Sequence, residues 1–358
     1  MNEGSGAVER TRRSAAALRV VPWILTASLL PGSVRAQEAS GASLFSSDEP
    51  LTFTLVADFD ALRRDRHEDP EYRPALLIPE AGDTLDVQLR PRGDFRRDPS
   101  YCSFPPLRLN VRKNHVEGTV FQGQDKLKMV VPCGGDRDEY EEYVLREYLL
   151  YRVYALVTDL AFRVRLARVT FADAGDEDAF TRFAFLIESD EALAARVGGQ
   201  SMDVPEGKIV RARVLDPASS ARVAVFQYMI GNTDWADAQV HNTAIFAVGG
   251  KVVPVPYDFD FSGAVEAPYA MPAPRTPIST VRQRFYMGWC WPGLDREAVL
   301  APFRRIRPEV AVLYQTFPYL DEGVARETVA YFDQFFDLIA DGDRAQRRMF
   351  RDCRELPG

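Results

Sequence analysis

Asp234, Asp237, His241, Asn242, Asp258 and Asp260 fall within one short stretch, FQYMIGNTDWADAQVHNTAIFAVGGKVVPVPYDFDFSG, running from Phe226 to Gly263. Carboxylate and amide oxygens are ligands for a hard cation such as Mg²⁺ or Mn²⁺, above all one already carried on phosphates. Phosphoryl transfer to a hydroxyl needs such a set. One carboxylate orients and deprotonates the attacking hydroxyl, and an Asn and a later Asp hold the metal that neutralises the phosphates. In this order a loop Asp, Asp234 or Asp237, is the candidate base, and Asn242, Asp258 and Asp260 are the candidate oxygen ligands for the metal. Each residue alone is common in loops and turns; the ordered set is what points to chemistry.

The elements that position these side chains are legible around them. Val223, Phe226 and Ile230 sit at helical spacing and predict a helix over Ala221–Ile230, closed by Gly231 as a left-handed cap. The loop Asn232–Asn242 then exposes Asp234, Asp237, His241 and Asn242. Two apolar runs, Ala244–Val248 and Val252–Val255, are joined by Gly249-Gly250, a hairpin signal that returns the chain to Asp258 and Asp260.

Upstream, Leu51–Ala57, Thr84–Arg90, Leu107–Val111 and Lys126–Val131 alternate apolar and polar residues and predict an antiparallel sheet with one wet face. Asp58–Arg73 is charged and reads as loop. Glu141–Val157 reads as a long helix with Leu145, Leu149 and Leu156 on one stripe. Arg163–Phe171 and Thr181–Glu188 are expected strands, the second with Phe183, Phe185 and Ile187 on one side. Ser189–Gly199 reads as a short helix and Gln200–Ser220 as irregular. Asp295–Gln315 and Asp321–Ala340 predict long helices whose aromatic residues are core. The expected fold class is α+β, in two lobes: residues 51–190 β-rich with one helix, residues 191–358 mostly helical, with a ligand cleft between.

The chain has 358 residues, formal charge −8 and 46% hydrophobic residues, enough for a sizeable core. Arg10, Arg12, Arg13 and Arg19, the apolar run Val20–Leu30 and the small-residue site Val34-Arg35-Ala36 form a secretory signal pattern over residues 1–36. Its removal takes away five Arg and two Glu and leaves −11. So acidic a chain is a poor nonspecific nucleic-acid binder. The apolar run is too short for a spanning helix, which needs ~20 residues, and no other run is longer. Residues 37–50 are small and polar and read as a flexible lead-in. An exported protein, periplasmic or extracellular, is expected. Cys102, Cys133, Cys290 and Cys353 allow three pairings; Cys102–Cys133 with Cys290–Cys353 keeps each bridge within one half of the chain. Three His (His67, His115, His241) indicate neither a His-rich metal site nor a Ser-His-Asp triad.

Several stretches resemble the secreted spore-coat CotH kinase family, an atypical protein-kinase-like group. Arg92-Gly93 ahead of Phe104-Pro105-Pro106-Leu107-Arg108 is similar to its Arg-Gly…Phe-Pro-Lys-Lys segment, and Phe183–Ser189 to its strand at the lobe junction. Gly231–Asn242 looks like its catalytic loop and Pro256–Asp260 like its metal-binding turn. The likeness covers roughly residues 50–265. It implies a two-lobed kinase-like fold, ATP with Mg²⁺ or Mn²⁺ as cofactors, and Asp234 as base. It also implies a strand-borne cation for the nucleotide phosphates, for which Lys128, Lys126 and Arg108 compete. An acidic helix residue should pair with that cation, Glu147 ahead of Glu142. The sequence departs from the pattern in three places: Asn242 follows Asp234 by eight residues instead of five, Pro-Leu-Arg stands where paired Lys is usual, and no glycine-rich phosphate loop precedes Lys126. Trp235 is a possible substrate wall, and Glu188 a possible adenine or ribose contact.

The expected function is an exported kinase-like phosphotransferase that phosphorylates a hydroxyl of a protein or small molecule. The alternative is a catalytically inactive, kinase-shaped binding or structural protein of the cell envelope. A metal-dependent hydrolase built on Asp234, Asp258 and Asp260 ranks third.

Overall fold

Between Leu51 and Ile187 the alternating apolar side chains line the inside of a closed barrel. The computed structural model describes residues 44–357 apart from 94, 174–178, 206 and 275; the signal pattern over 1–36 lies outside the described residues. The barrel strands are β1 (Leu51–Ala57), β2 (Arg73–Pro79), β3 (Leu85–Pro91), β4 (Leu107–Asn110), β5 (Lys126–Val130), β6 (Val164–Asp173) and β7 (Ala179–Ile187). Their order around the barrel is β1-β2-β3-β4-β5-β7-β6, and β6 returns to β1. Leu55, Leu77, Leu89, Leu109, Leu127, Met129, Val169 and Leu186 fill the interior.

This closure overturns the expected fold class. A two-lobed, kinase-like architecture with an open antiparallel sheet would leave β1 as an edge. Instead β1 pairs on both sides, antiparallel to β2 and parallel to β6 from Leu51↔Ala167 to Ala57↔Asp173. Closing a sheet removes its unpaired edges. Nor is there one wet face throughout: Ala184 and Leu186 of β7 point into the barrel, whereas Phe183, Phe185 and Ile187 are buried in an outer apolar layer. That outer layer continues unbroken into the helical residues downstream.

One local expectation also changes, and one strand is new. Asp58–Arg73 is not all loop, because Asp58 accepts the Ala61 N–H and caps a short helix, α1 (Phe59–Arg64). The strand β2 had no expectation attached to it; Pro74 and Pro79 near its ends obscure its alternating Ala75, Leu77 face.

Helix α2 (Glu141–Val157) lies against the outside of β6 and β7, with Tyr148 and Tyr151 rings 5.9 and 5.5 Å from that of Phe185. It is buried nearly all round, although Leu156 is 41% exposed and so is no part of the core stripe. After α3 (Asp190–Arg196), a three-stranded sheet is formed by β8 (Gly199–Met202), β9 (Thr243–Val248) and β10 (Lys251–Pro256), in the order β10-β9-β8. β8 falls in a stretch whose Gly-Gln-Ser composition reads as irregular. Helix α4 (Pro217–Ile230) begins earlier than its apolar periodicity suggests, since Asp216 caps it and Pro217 opens it. The expected helix over Asp295–Gln315 is two, α5 (Arg296–Arg305) and α6 (Arg307–Thr316), broken at Ile306, because Pro308 has no N–H to continue the helix and sits instead in the first turn of the next one. Helix α7 (Glu322–Ile339) is amphipathic as expected, with Phe332, Phe335, Phe336 and Ile339 in the core. Both disulfides, Cys102–Cys133 and Cys290–Cys353, are formed as favoured.

Candidate functional site

Gly231 ends α4 at φ +70°, where an added Cβ would lie 2.2 Å from the Tyr331 hydroxyl. The chain then turns sharply: the Asn232 side-chain oxygen accepts the Asp234 N–H at 2.9 Å. Asp237 is not exposed, as the loop composition suggests, but wholly buried. It accepts hydrogen bonds from the Ser220 hydroxyl (2.6 Å), the Ala238 N–H (2.8 Å) and the Trp289 indole N–H (2.9 Å). Trp235 is buried too, and is an anchor of the loop and not a wall of the site.

Asp234 is therefore the loop carboxylate left facing the cavity. Its Oδ1 lies 2.8 Å from His241 Nε2, and the Asn242 amide donates to its Oδ2 at 3.0 Å and to its backbone oxygen at 2.8 Å. The eight-residue gap between Asp234 and Asn242 is closed by a small bridged turn, in which Ala236 and His241 exchange backbone hydrogen bonds of 2.9 Å. The Asp234 hydrogen bond raises the His241 pKa, against the opposing effect of burial.

Three non-glycine residues here have positive φ: Val240 (+56°), Asn242 (+50°) and Asp258 (+62°). Such conformations are costly, most of all for a β-branched residue, and gather at functional sites. Helix α2 holds Asp258 in place from behind. The Asp258 N–H donates to the Tyr151 hydroxyl at 2.9 Å, and the next N–H, of Phe259, donates to Glu147 at 3.3 Å. Glu147 thus supports the Asp-Phe-Asp turn and does not pair with a strand lysine, which corrects the pairing implied by the family resemblance. Lys128 lies 3.6 Å from Asp190 instead.

The cation beside Asp258 and Asp260 is Arg96, from a short turn after β3. Its guanidinium lies 3.2 Å from Asp258 Oδ1 and 3.4 Å from Asp260 Oδ2, and the residue is 7% exposed. Tyr269 donates to Asp260 at 3.0 Å. Burial would raise the Asp258 carboxyl, but Arg96, Arg92 and Lys128 outweigh it and hold it below the usual range. Asp260 is pushed up to about 6 by burial, with Arg96 opposing and Asp258 adding. Glu147 is raised well above the usual range by burial and by the charges of Asp260 and Asp258.

The opposite wall is basic. Arg90, Arg108 and Lys128 form a row across β3, β4 and β5, with Arg90↔Arg108 and Arg108↔Lys128 directly opposed. Like charges facing one another across strands are destabilising. Asp69 neutralises Arg90, and Asp190 faces Lys128. Arg108 and its neighbour Arg92 have no ion-pair partner among the described residues, and the Nε of each is buried without a hydrogen bond. Burial pulls Lys128 below the usual lysine range, Asp190 opposes this, and Arg92 and Arg108 add to it. Lys126, one strand period away, is exposed and does not line the cavity.

The cavity between these walls is about 670 Å³, and Arg90 lies outside its lining. It brings together Asp234, Asn242, Asp258 and Asp260 with Arg108 and Lys128, and leaves out Lys126 and Glu147. Sequence reasoning missed Arg96 and Lys208 as lining residues and quoted Arg92 only as part of a motif. Arg96 gave no signal, since it meets its partner 162 residues further along the chain. Glu188 is buried in a bidentate pair with Arg196 and is structural.

Among the described residues no three carboxylate, imidazole or thiol groups converge as a ready-made metal cage. The donor set still suits Mg²⁺ or Mn²⁺: two carboxylates, an amide oxygen, and a charge position that already holds a cation in the form of Arg96. Mg²⁺ is commonly bound by one or two carboxylates with the remainder from phosphate and water.

No family model and no curated protein sequence matches the chain. Among solved structures it is similar to a chain of the Shewanella oneidensis MR-1 toxin–antitoxin complex of HipA, HipB and operator DNA, with 12% identity and a TM-score of 0.30. The match covers 69% of this chain and 59% of that one. A score of that size does not establish a shared fold.

Proposed function

We propose that the cavity binds a nucleoside triphosphate with a divalent cation and transfers a phosphoryl group to a hydroxyl of a protein or small molecule. The observation that carries this reading is the meeting of Lys128 and two arginines, without an ion-pair partner among the described residues, with Asp234, Asn242, Asp258 and Asp260 in one cavity of a chain whose formal charge is −8. Cations gathered against the sign of the whole molecule favour an anionic ligand.

Arg92, Arg108 and Lys128 bind and orient the phosphates. Asp234 takes the proton of the acceptor hydroxyl at one of its carboxylate oxygens, while His241 and Asn242 fix the direction of that carboxylate. Asp258, Asp260 and the Asn242 oxygen would hold the cation, which supplies charge neutralisation between the phosphates. Catalysis of this kind is positioning and electrostatics. The two disulfides are compatible with an exported protein, and among the described residues no helix is long and apolar enough to cross a membrane.

The alternative, a binding protein without turnover, is favoured by one observation: Arg96 already stands as a cation between Asp258 and Asp260. Thermal unfolding with ATP and Mn²⁺, singly and together, tests the site. Saturation at 100 times Kd stabilises by about 2.7 kcal/mol. At about 2.1 cal/mol/K of unfolding entropy per residue, a chain of this length should gain about 4 °C. The gain should need both ligands and vanish in Asp258→Ala. No shift at millimolar ligand refutes the nucleotide reading; a shift without phosphate transfer to any acceptor selects the binding protein.

A further inference from the structure

Arg96 is an unusual occupant of a metal-binding position. Its backbone belongs to the short turn Phe95–Arg97, and Phe95 stacks on Tyr101 (4.0 Å) and meets Phe261 edge-on (5.1 Å). Cys102, a few residues on, is bonded to Cys133. The main chain is thus clamped to the same turn that carries Asp258 and Asp260, and only the side-chain torsions are free to change.

We propose that Arg96 is an internal counter-cation that competes with a divalent ion for the Asp258–Asp260 pair, so that metal enters the cavity only with phosphate oxygens able to draw the guanidinium away. This rests on the reading of the cavity as a metal–phosphate site. Two carboxylates bridged by one buried guanidinium already have half of their charge compensated, and a dication arriving alone meets a positive charge with nowhere better to go. A phosphate changes that. A guanidinium fork matches phosphate oxygens in bidentate geometry, and Arg96 lines the cavity beside Arg92 and Arg108. Swinging from the carboxylates to a phosphate lets Arg96 keep a charged partner at every stage and vacates Asp258 and Asp260 in the same movement. The consequence is ordered recognition: metal and phosphate ligand arrive as one complex, and bare metal is refused.

The test is Mn²⁺ binding to the disulfide-intact protein without nucleotide, read by the loss of the free-ion electron paramagnetic resonance signal. Arg96→Gln and Arg96→Met should each bind Mn²⁺ at least tenfold more tightly than the wild type. Arg96→Lys keeps a buried cation but cannot bridge both carboxylates, so it should gain about threefold; it decides the matter if circular dichroism shows the neutral variants unfolded. Equal or weaker Mn²⁺ binding by the folded variants overturns the proposal. Equilibrium dialysis of the wild type with Mn²⁺ and a non-hydrolysable ATP analogue separates the two levels. Retained metal there upholds the metal–phosphate reading whatever the variants do, and no retained metal removes both.

Discussion

Asp234 and Asp237 sit three residues apart in one loop, and the structure gives them opposite work. Asp237→Ala strips acceptors from the Ser220 hydroxyl, the Ala238 N–H and the Trp289 indole, all in a wholly buried setting. Each orphaned donor costs about 1–3 kcal/mol, or about 3–9 kcal/mol for the set. About 0.75 kcal/mol/K of unfolding entropy for a chain of this length converts that to a fall of about 4–12 °C in melting temperature. The Asp234 side chain is 32% exposed, and water can replace its contacts with His241 and Asn242. Asp234→Ala should cost less than about 1 kcal/mol, a fall of about 1 °C, while abolishing phosphoryl transfer. Scanning calorimetry of both variants beside the wild type is the assay. An Asp237→Ala protein that melts within 2 °C of the wild type, or an Asp234→Ala protein that falls as far as Asp237→Ala, refutes the division of roles.

Stability should also depend on pH through Asp260, which faces Arg96, Asp258, Tyr269, Glu147 and Asp234. Its folded pKa of about 6 lies above its ordinary value of 3.8, so the folded state binds the proton more tightly. Stability is then greatest below about 4 and declines as pH rises to about 6, by on the order of 2–3 kcal/mol. Melting curves from pH 4 to 8 should show that decline in the wild type and a flatter profile in Asp260→Asn; equal slopes would remove Asp260 as the cause. Gly231→Ala should cost about 1–3 kcal/mol from its positive φ alone, with more from the displaced Tyr331 hydroxyl and the Val281 carbonyl. Gly118→Ala, at φ +76° with nothing within 4 Å, isolates the backbone part; similar urea midpoints for the two variants would show that the close approach is harmless.

The parts of the molecule legible in the sequence were those whose signal is local. Leu85, Val87 and Leu89 announce a strand, the Gly249-Gly250 pair announces its hairpin, and Gly231 closes its helix. The order of Asp234, Asn242, Asp258 and Asp260 placed all four around one cavity, because a hairpin returns the chain over a short distance. What stayed hidden depends on distant pairing. The parallel ladder of β1 with β6 has no mark in either segment, so closure of the barrel could not be read. Lys126 and Lys128 are equivalent by period; only the end of the strand nearer β7 reaches the cavity. Arg96 and Glu147 act on residues more than a hundred positions away, and a charged residue in a loop or on a helix carries no record of such a partner.

The ladder of β1 and β6 also sets a condition on biosynthesis. Leu51 meets Ala167 only after more than a hundred further residues have been made. Until then the first strands can form hairpins but not a cylinder, and the open side of β1 can recruit a strand from any neighbouring chain. Parallel, long-separation pairing is slow because its loop must be closed before the contacts repay the lost entropy. Half-made chains of this kind are exposed to intermolecular misassembly. The seam is therefore a late part of the barrel to close, with only the placing of β7 between β5 and β6 later in the chain, and a step at which a chaperone that shields strand edges would matter.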